Sequence, residues 1–138
     1  MKKTPVCIMV LLLCVTVLTS CADIREQQSI QKLDQLQAQF EKDGYECSRW
    51  QDTGVASYAE SLVAESGVLL KGEITGMMEY SYRDESTGKH VYGIVVGTTN
   101  KDDARAVGDV YTDSLKSIVK EYTTSVFGYY VQIEYSLS

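Results

Sequence analysis

"HVYGIVVGT", residues 90–98, carries Val91 and Val95 at one parity and Tyr92, Ile94 and Val96 at the other. A strand with one wet face alternates apolar and polar residues, so a run that is apolar at both parities needs cover on both sides. It predicts a central strand. The segment before it, Asp84-Glu85-Ser86-Thr87-Gly88-Lys89, is polar and contains glycine, so it should turn the chain into this strand, with His90 as a surface residue near the turn. Upstream, Val68, Leu70 and Ile74 alternate with Lys71, Glu73 and Thr75, and Met78, Tyr80 and Tyr82 alternate with Glu79, Ser81 and Arg83. These read as half-buried strands, with Gly72 and Gly76 as bend or bulge points.

Downstream the period changes. Ala104, Val107, Tyr111, Leu115, Ile118 and Tyr122 form one stripe at helical spacing, with Asn100 as its cap. Asp102 and Asp103 lie at the positive end of this helix, and Lys116 and Lys120 at its negative end, which complements the macrodipole. Gly108 is its one internal flaw, costing about 1 kcal/mol relative to alanine and implying close packing there. The chain ends in "FGYYVQIEYSLS", where Tyr129, Val131, Ile133, Tyr135 and Leu137 face one way and Tyr130, Gln132, Glu134 and Ser136 the other. That is a last strand with one wet face.

Nearer the amino terminus, Ile30, Leu33, Leu36 and Phe40 recur at spacings of three and four amid Gln, Glu and Lys, an amphipathic helix over Ile24 to Asp43 that Gly44 can stop. Its glutamine-rich run could also serve as a membrane-proximal tether or a short coiled coil. Tyr45 to Gly54 reads as a packed connection, with Trp50 as a core plug. A shorter helix follows from Val55 to Glu65, with Val55, Tyr58 and Leu62 on one face, and ends at Ser66-Gly67. The expected fold is α+β, a small, mostly antiparallel sheet of about four strands with helices packed on one side.

The first 21 residues have a separate logic. Lys2 and Lys3 precede an uncharged run from Val6 to Leu18, a basic region followed by an apolar one. Thirteen such residues make a helix of roughly 20 Å, short of a hydrocarbon core near 30 Å. This favours an export signal over a permanent span. Leu18-Thr19-Ser20-Cys21 then sets small residues just before a cysteine. Here the chain resembles bacterial lipoprotein precursors, whose lipobox ends in the cysteine that is lipidated.

The resemblance implies that residues 1–20 are a signal peptide, cleaved before Cys21, and that residues 21–138 form one extracytoplasmic α+β domain, with 21–44 as lipidated terminus and amphipathic helix. It also implies a diacylglyceryl thioether on Cys21 and usually a further acyl chain on the new amino group. Two or three such chains anchor a protein to a membrane where one binds only marginally. In many double-membrane bacteria Asp after the lipidated cysteine retains a lipoprotein at the inner membrane. Ala22 stands there instead, which favours the outer membrane, facing the periplasm, although Asp23 is next.

Removing 20 residues from 138 leaves 118, enough for one domain with one core. Loss of Lys2 and Lys3 takes the net charge from −6 to −8, a field that repels nucleic acid and anionic lipid. Cys7 and Cys14 leave with the signal and Cys21 is consumed by lipid, so Cys47 remains, either buried as a small hydrophobe or available for pairing between chains.

Candidate chemistry is sparse. Ser117-Ile118-Val119-Lys120 matches the Ser-x-x-Lys of penicillin-recognising enzymes, but the companion motifs are missing. Asp102, Asp109 and Asp113 share a helix face with Arg105 and Lys116, which fits an ion-paired surface better than a cation site. The sequence therefore assigns no catalytic residue, no metal and no cofactor. Tyrosine stands out, with ten in the chain, and Tyr80, Tyr82 and Tyr130 are candidates for a recognition surface because tyrosine joins an apolar body to a polar tip. The expectation is a lipid-anchored envelope protein that contacts another envelope protein. The alternative is a module binding a small ligand, peptide or glycan on a tyrosine-lined sheet face.

Overall fold

The computed structural model describes residues 21–50 and 53–137. The signal and lipobox residues Leu18, Thr19 and Ser20 lie outside them, as do the side chains of Cys21 and Trp50. The order is α1 (Cys21–Lys42), β1 (Glu46–Trp50), α2 (Thr53–Glu65), β2 (Ile74–Arg83), β3 (His90–Thr98), α3 (Lys101–Leu115), β4 (Glu121–Phe127) and β5 (Tyr130–Ser136). The five strands form one antiparallel sheet in the order β1-β2-β3-β5-β4. The α+β class and the central place of β3 are as the sequence predicts.

β3 is central because its two faces are both buried. Val96 joins a cluster with Met77, Val131 and Ile133 under α2 and α3, which contribute Ala59, Val63, Val107 and Tyr111. Val95 joins Met78 and Tyr80 on the opposite face, under Leu33, Leu36 and Phe40 of α1. The helices thus divide between the two faces instead of sharing one, since a strand apolar at both parities must be roofed twice.

Three boundaries differ from the sequence reading. The connection after Tyr45 contains β1, whose Cys47 pairs with Tyr80 and Arg49 with Met78 of β2. Residues 68–73 are loop, so β2 is one strand with a register shift between Ile74 and Gly76. The third helix stops at Leu115 rather than continuing through Tyr122. Ile118 consequently lies 71% exposed, and Glu121–Phe127 becomes an additional edge strand. Ser117 and Lys120 of the Ser-x-x-Lys pattern fall between that helix and β4.

Local signals account for most element ends. Tyr45 N donates to Phe40 O and Gly44 N to Glu41 O, the paired bonds of a Schellman stop, with Gly44 at φ +88°. Asn100 accepts from Asp102 N at 2.8 Å to cap α3. The Asp84–Lys89 turn closes through Asp84 N to Lys89 O at 2.9 Å, leaving His90 exposed. Asp103, buried at the first turn of α3, accepts from Lys71 N and Gly72 N and so pins the loop before β2. Asp102 pairs with Lys71 and Asp113 with Lys116, the solvated ionic surface expected of these aspartates.

Gly108 marks the close approach inferred for it. A Cβ there would sit 2.8 Å from Val131 Cγ2 and 3.3 Å from Thr124 Cγ2. Gly108→Ala is therefore expected to destabilise the fold by about 1–3 kcal/mol through overpacking, despite alanine's better helix propensity. Urea unfolding would read this, and Val131→Ala should recover part of the loss in the double variant.

Candidate functional site

The cross-strand register arranges the α1 face of the sheet in rows. Tyr82, Val91, Ser136 and Glu121 form one row across β2, β3, β5 and β4, and Tyr80, Gly93, Glu134 and Thr123 form the next. At the other end Tyr130 sits opposite Gly97 and Phe127. The three tyrosines singled out from the sequence thus share a face, but only Tyr80 and Tyr82 are neighbours.

Tyr80 is not a surface residue. It is 3% exposed, its ring 4.6 Å from Phe40 and 6.0 Å from Tyr45 between centroids. The ring lies over Gly93, where an added Cβ would fall 2.0 Å from Tyr80 Cζ. Glycine in the central strand lets the phenol cross β3 and reach β5. There the Tyr80 hydroxyl donates to Glu134 Oε2 at 2.6 Å and accepts from Gln132 Nε2. Burial pushes the Tyr80 phenol far above its ordinary value, and its bond to the Glu134 carboxylate pushes it the same way. The group is therefore a fixed, protonated strut.

Tyr130 is half-buried against α1, its hydroxyl 3.4 Å from the Gln28 carbonyl. Tyr82 is half-exposed and stacks on Tyr45 at 4.3 Å, its phenol raised by burial and by the Glu134 charge. Cys47 is half-buried in the same cluster, its thiol held up by burial and by Glu41, which keeps it a poor nucleophile.

Because α1 packs on β1, β2 and β3, the β5–β4 part of this face near the Tyr82 row stays bare. An open groove of about 580 Å³ results, lined by Tyr82, Val91, Glu134, Ser136, Glu121 and Thr123, with Lys120, Tyr122 and Tyr135 at its margin. The Lys89–Glu121 pair at 2.9 Å draws the Glu121 carboxyl below its usual range. The groove sets the Tyr82 ring and Val91 beside the Glu134 and Glu121 carboxylates and the Thr123 and Ser136 hydroxyls, so aromatic, apolar and anionic groups share one open surface. Among the described residues, no group of three or more His, Cys, Asp or Glu side chains is placed to hold a metal ion.

Of the groove's residues, the sequence singles out Tyr82 for recognition, and Lys120 only as part of the Ser-x-x-Lys match. Glu134 and Gln132 were legible as the polar face of β5, and the available signal for their role was a glycine in a central strand, which permits a large neighbour to lie across it. No protein family model, no curated protein and no solved structure matches this chain.

Tyr80→Phe should remove the strut while leaving the ring in place, costing about 1–3 kcal/mol because Glu134 and Gln132 lose a buried partner. The folded phenol keeps its proton where the unfolded chain, with an ordinary value of 10.0, releases it. The folded state then binds more protons, so the Tyr80 contribution is complete below about pH 10 and is lost as pH rises above it. Denaturant melts between pH 8 and 11 should show this alkaline decline, and a shallower one in Tyr80→Phe. An equal decline in both proteins would exclude Tyr80 as its source.

Proposed function

We propose that this chain is a lipid-anchored protein of the bacterial cell envelope, whose domain works by contacting another envelope component and not by catalysis. The observation that carries the reading is the continuity of α1. Cys21, the residue that the lipobox would acylate, already lies in the helix, which runs without a break to Leu33, Leu36 and Phe40, where it docks onto the sheet. At about 1.5 Å per residue, Leu33 lies roughly 18 Å along the helix from Cys21. An anchor there would hold the domain close to the bilayer. No helix among the described residues is long and apolar enough to cross a membrane, so attachment in this reading rests on the lipid.

Ala22 favours the periplasmic face of the outer membrane. The mature net charge of −8 suits a protein partner or a neutral surface over nucleic acid or anionic lipid. The buried Tyr80 hydroxyl is held between Glu134 and Gln132 and serves the fold as a strut, which leaves Tyr82 as the recognition candidate facing the groove. The groove beside Tyr82 favours a second reading, a module for a small ligand, peptide or glycan.

Mass spectrometry of the protein isolated from its host should find residues 1–20 removed and Cys21 acylated. Cys21→Ser should abolish incorporation of labelled palmitate. Under mild detergent the lipidated protein should bring down an envelope protein at fixed stoichiometry, and Tyr82→Ala should weaken capture about tenfold if the ring is a central contact. An unmodified Cys21 sulfur ends the anchoring half of the proposal; a protein that captures nothing ends the other half.

A further inference from the structure

The two edges of the sheet are unlike. β1 is five residues long and carries Glu46 and Arg49, the latter paired with Asp34 of α1. Short, charged strands are how sheets discourage pairing at an edge. β4, "EYTTSVF", is seven residues long with one charge, at its first position, no proline, no lysine and no register shift against β5. Six of its seven residues are exposed, Val126 at 40% and Phe127 at 52%. Among the described residues no strand pairs with its outer side.

The backbone shows what that side can accept. β4 and β5 join through the two-residue loop Gly128-Tyr129, with Gly128 at φ +59° and Phe127 opposite Tyr130. Residues flanking such a loop exchange both hydrogen bonds, and strict alternation then turns the N–H and C=O of Tyr122, Thr124 and Val126 outward. These three positions are symmetric about Thr124.

We propose that β4 pairs antiparallel with β4 of a second copy about a twofold axis at Thr124, joining two sheets into one of ten strands. In this register Thr124 faces Thr124, Tyr122 faces Val126 and Thr123 faces Ser125. Every outward peptide group meets another, giving about six hydrogen bonds between chains. The only charges on the paired strands, the two Glu121 carboxylates, lie at opposite ends of the shared ladder, so the strands themselves meet without like-charge contact. A slip of one residue would set outward groups against inward ones. This self-complementarity selects a second copy over an unrelated strand. It does not depend on the lipid anchor, but it is compatible with one: the axis runs through the sheet plane, so both α1 helices lie on the same side.

The test uses the full chain in its host membrane with Cys47→Ser, leaving cysteines 7, 14 and 21 common to every variant. Thr123 and Ser125 of the two copies would be a non-hydrogen-bonded pair with Cα atoms about 4.5 Å apart, whereas residue 123 of each copy would be about 7–8 Å from its equivalent. Only the first separation suits a disulfide. Differently tagged Thr123→Cys and Ser125→Cys chains, co-expressed and oxidised, should give a mixed disulfide dimer several-fold more abundant than either variant gives alone. Equal cross-linking in the single variants, or none in the mixture, overturns the proposal. Thr124→Pro removes an outward N–H that β5 does not use, so it should yield a folded monomer by light scattering in detergent. A folded Thr124→Pro protein that remains dimeric also overturns the proposal; if that variant unfolds, the cross-linking pair decides.

Discussion

β3 hides Val95 beneath one roof and Val96 beneath another, and the architecture follows from supplying both. The side under Val96 is covered by two helices whose small and branched residues, Ala59, Val63, Ala104 and Val107, let them lie close to the sheet. The side under Val95 has α1 alone, with a narrow stripe. Leu33 is fully buried there, contributing about 1.5–3 kcal/mol, while Leu36 and Phe40 are half-covered. One helix about 10 Å wide cannot roof five strands spaced about 4.8 Å apart. The bare β5–β4 half of that face is therefore a consequence of the helix count, and both the groove and the open edge lie in it.

Tyr80 partly compensates for the missing roof. From β2 its ring crosses Gly93 of β3 and its hydroxyl reaches Glu134 and Gln132 of β5. Phe40 of α1 packs on the same ring. Helix, central strand and β5 are thereby tied by one side chain whose polar atom is satisfied on both sides, the condition under which a buried hydroxyl stabilises rather than costs. Tyr82, one row further out, stacks on Tyr45 and keeps an exposed surface. Two tyrosines of one strand thus differ in use because α1 reaches one and only borders the other.

The elements legible in the sequence were those with a strong periodic or turn signal. β3 announced itself by apolar residues at both parities, α3 by Asn100 and the Ala104 stripe, and the packing at Gly108 by a glycine that helix propensity disfavours. β1 was hidden because Glu46-Cys47-Ser48-Arg49-Trp50 is too short and polar to show a period. β4 was hidden because Ile118 and Tyr122 extend the spacing of Leu115, so a helical stripe ran past the true end of α3. Its Thr, Ser, Val and Phe residues are good strand formers, but an exposed edge strand has no buried parity to reveal it. The tyrosines could not be sorted into buried and exposed because that depends on where α1 crosses, which no local pattern states.

The open edge and the groove share Glu121, Tyr122 and Thr123, so they are not independent surfaces. A strand added outside β4 would wall the groove on a side now open to solvent, and by fixing β4 it would fix the margin around Glu121. Any coupling between occupancy of the groove and pairing at β4 would act equally in both directions, since linkage between two sites is reciprocal. Glu121 already feels both directions, bridged to Lys89 on one side and within 3.4 Å of Ser136 on the other. A domain with one firmly roofed half and one bare half therefore leaves its exposed groove and its open strand edge together, where its own helices run out.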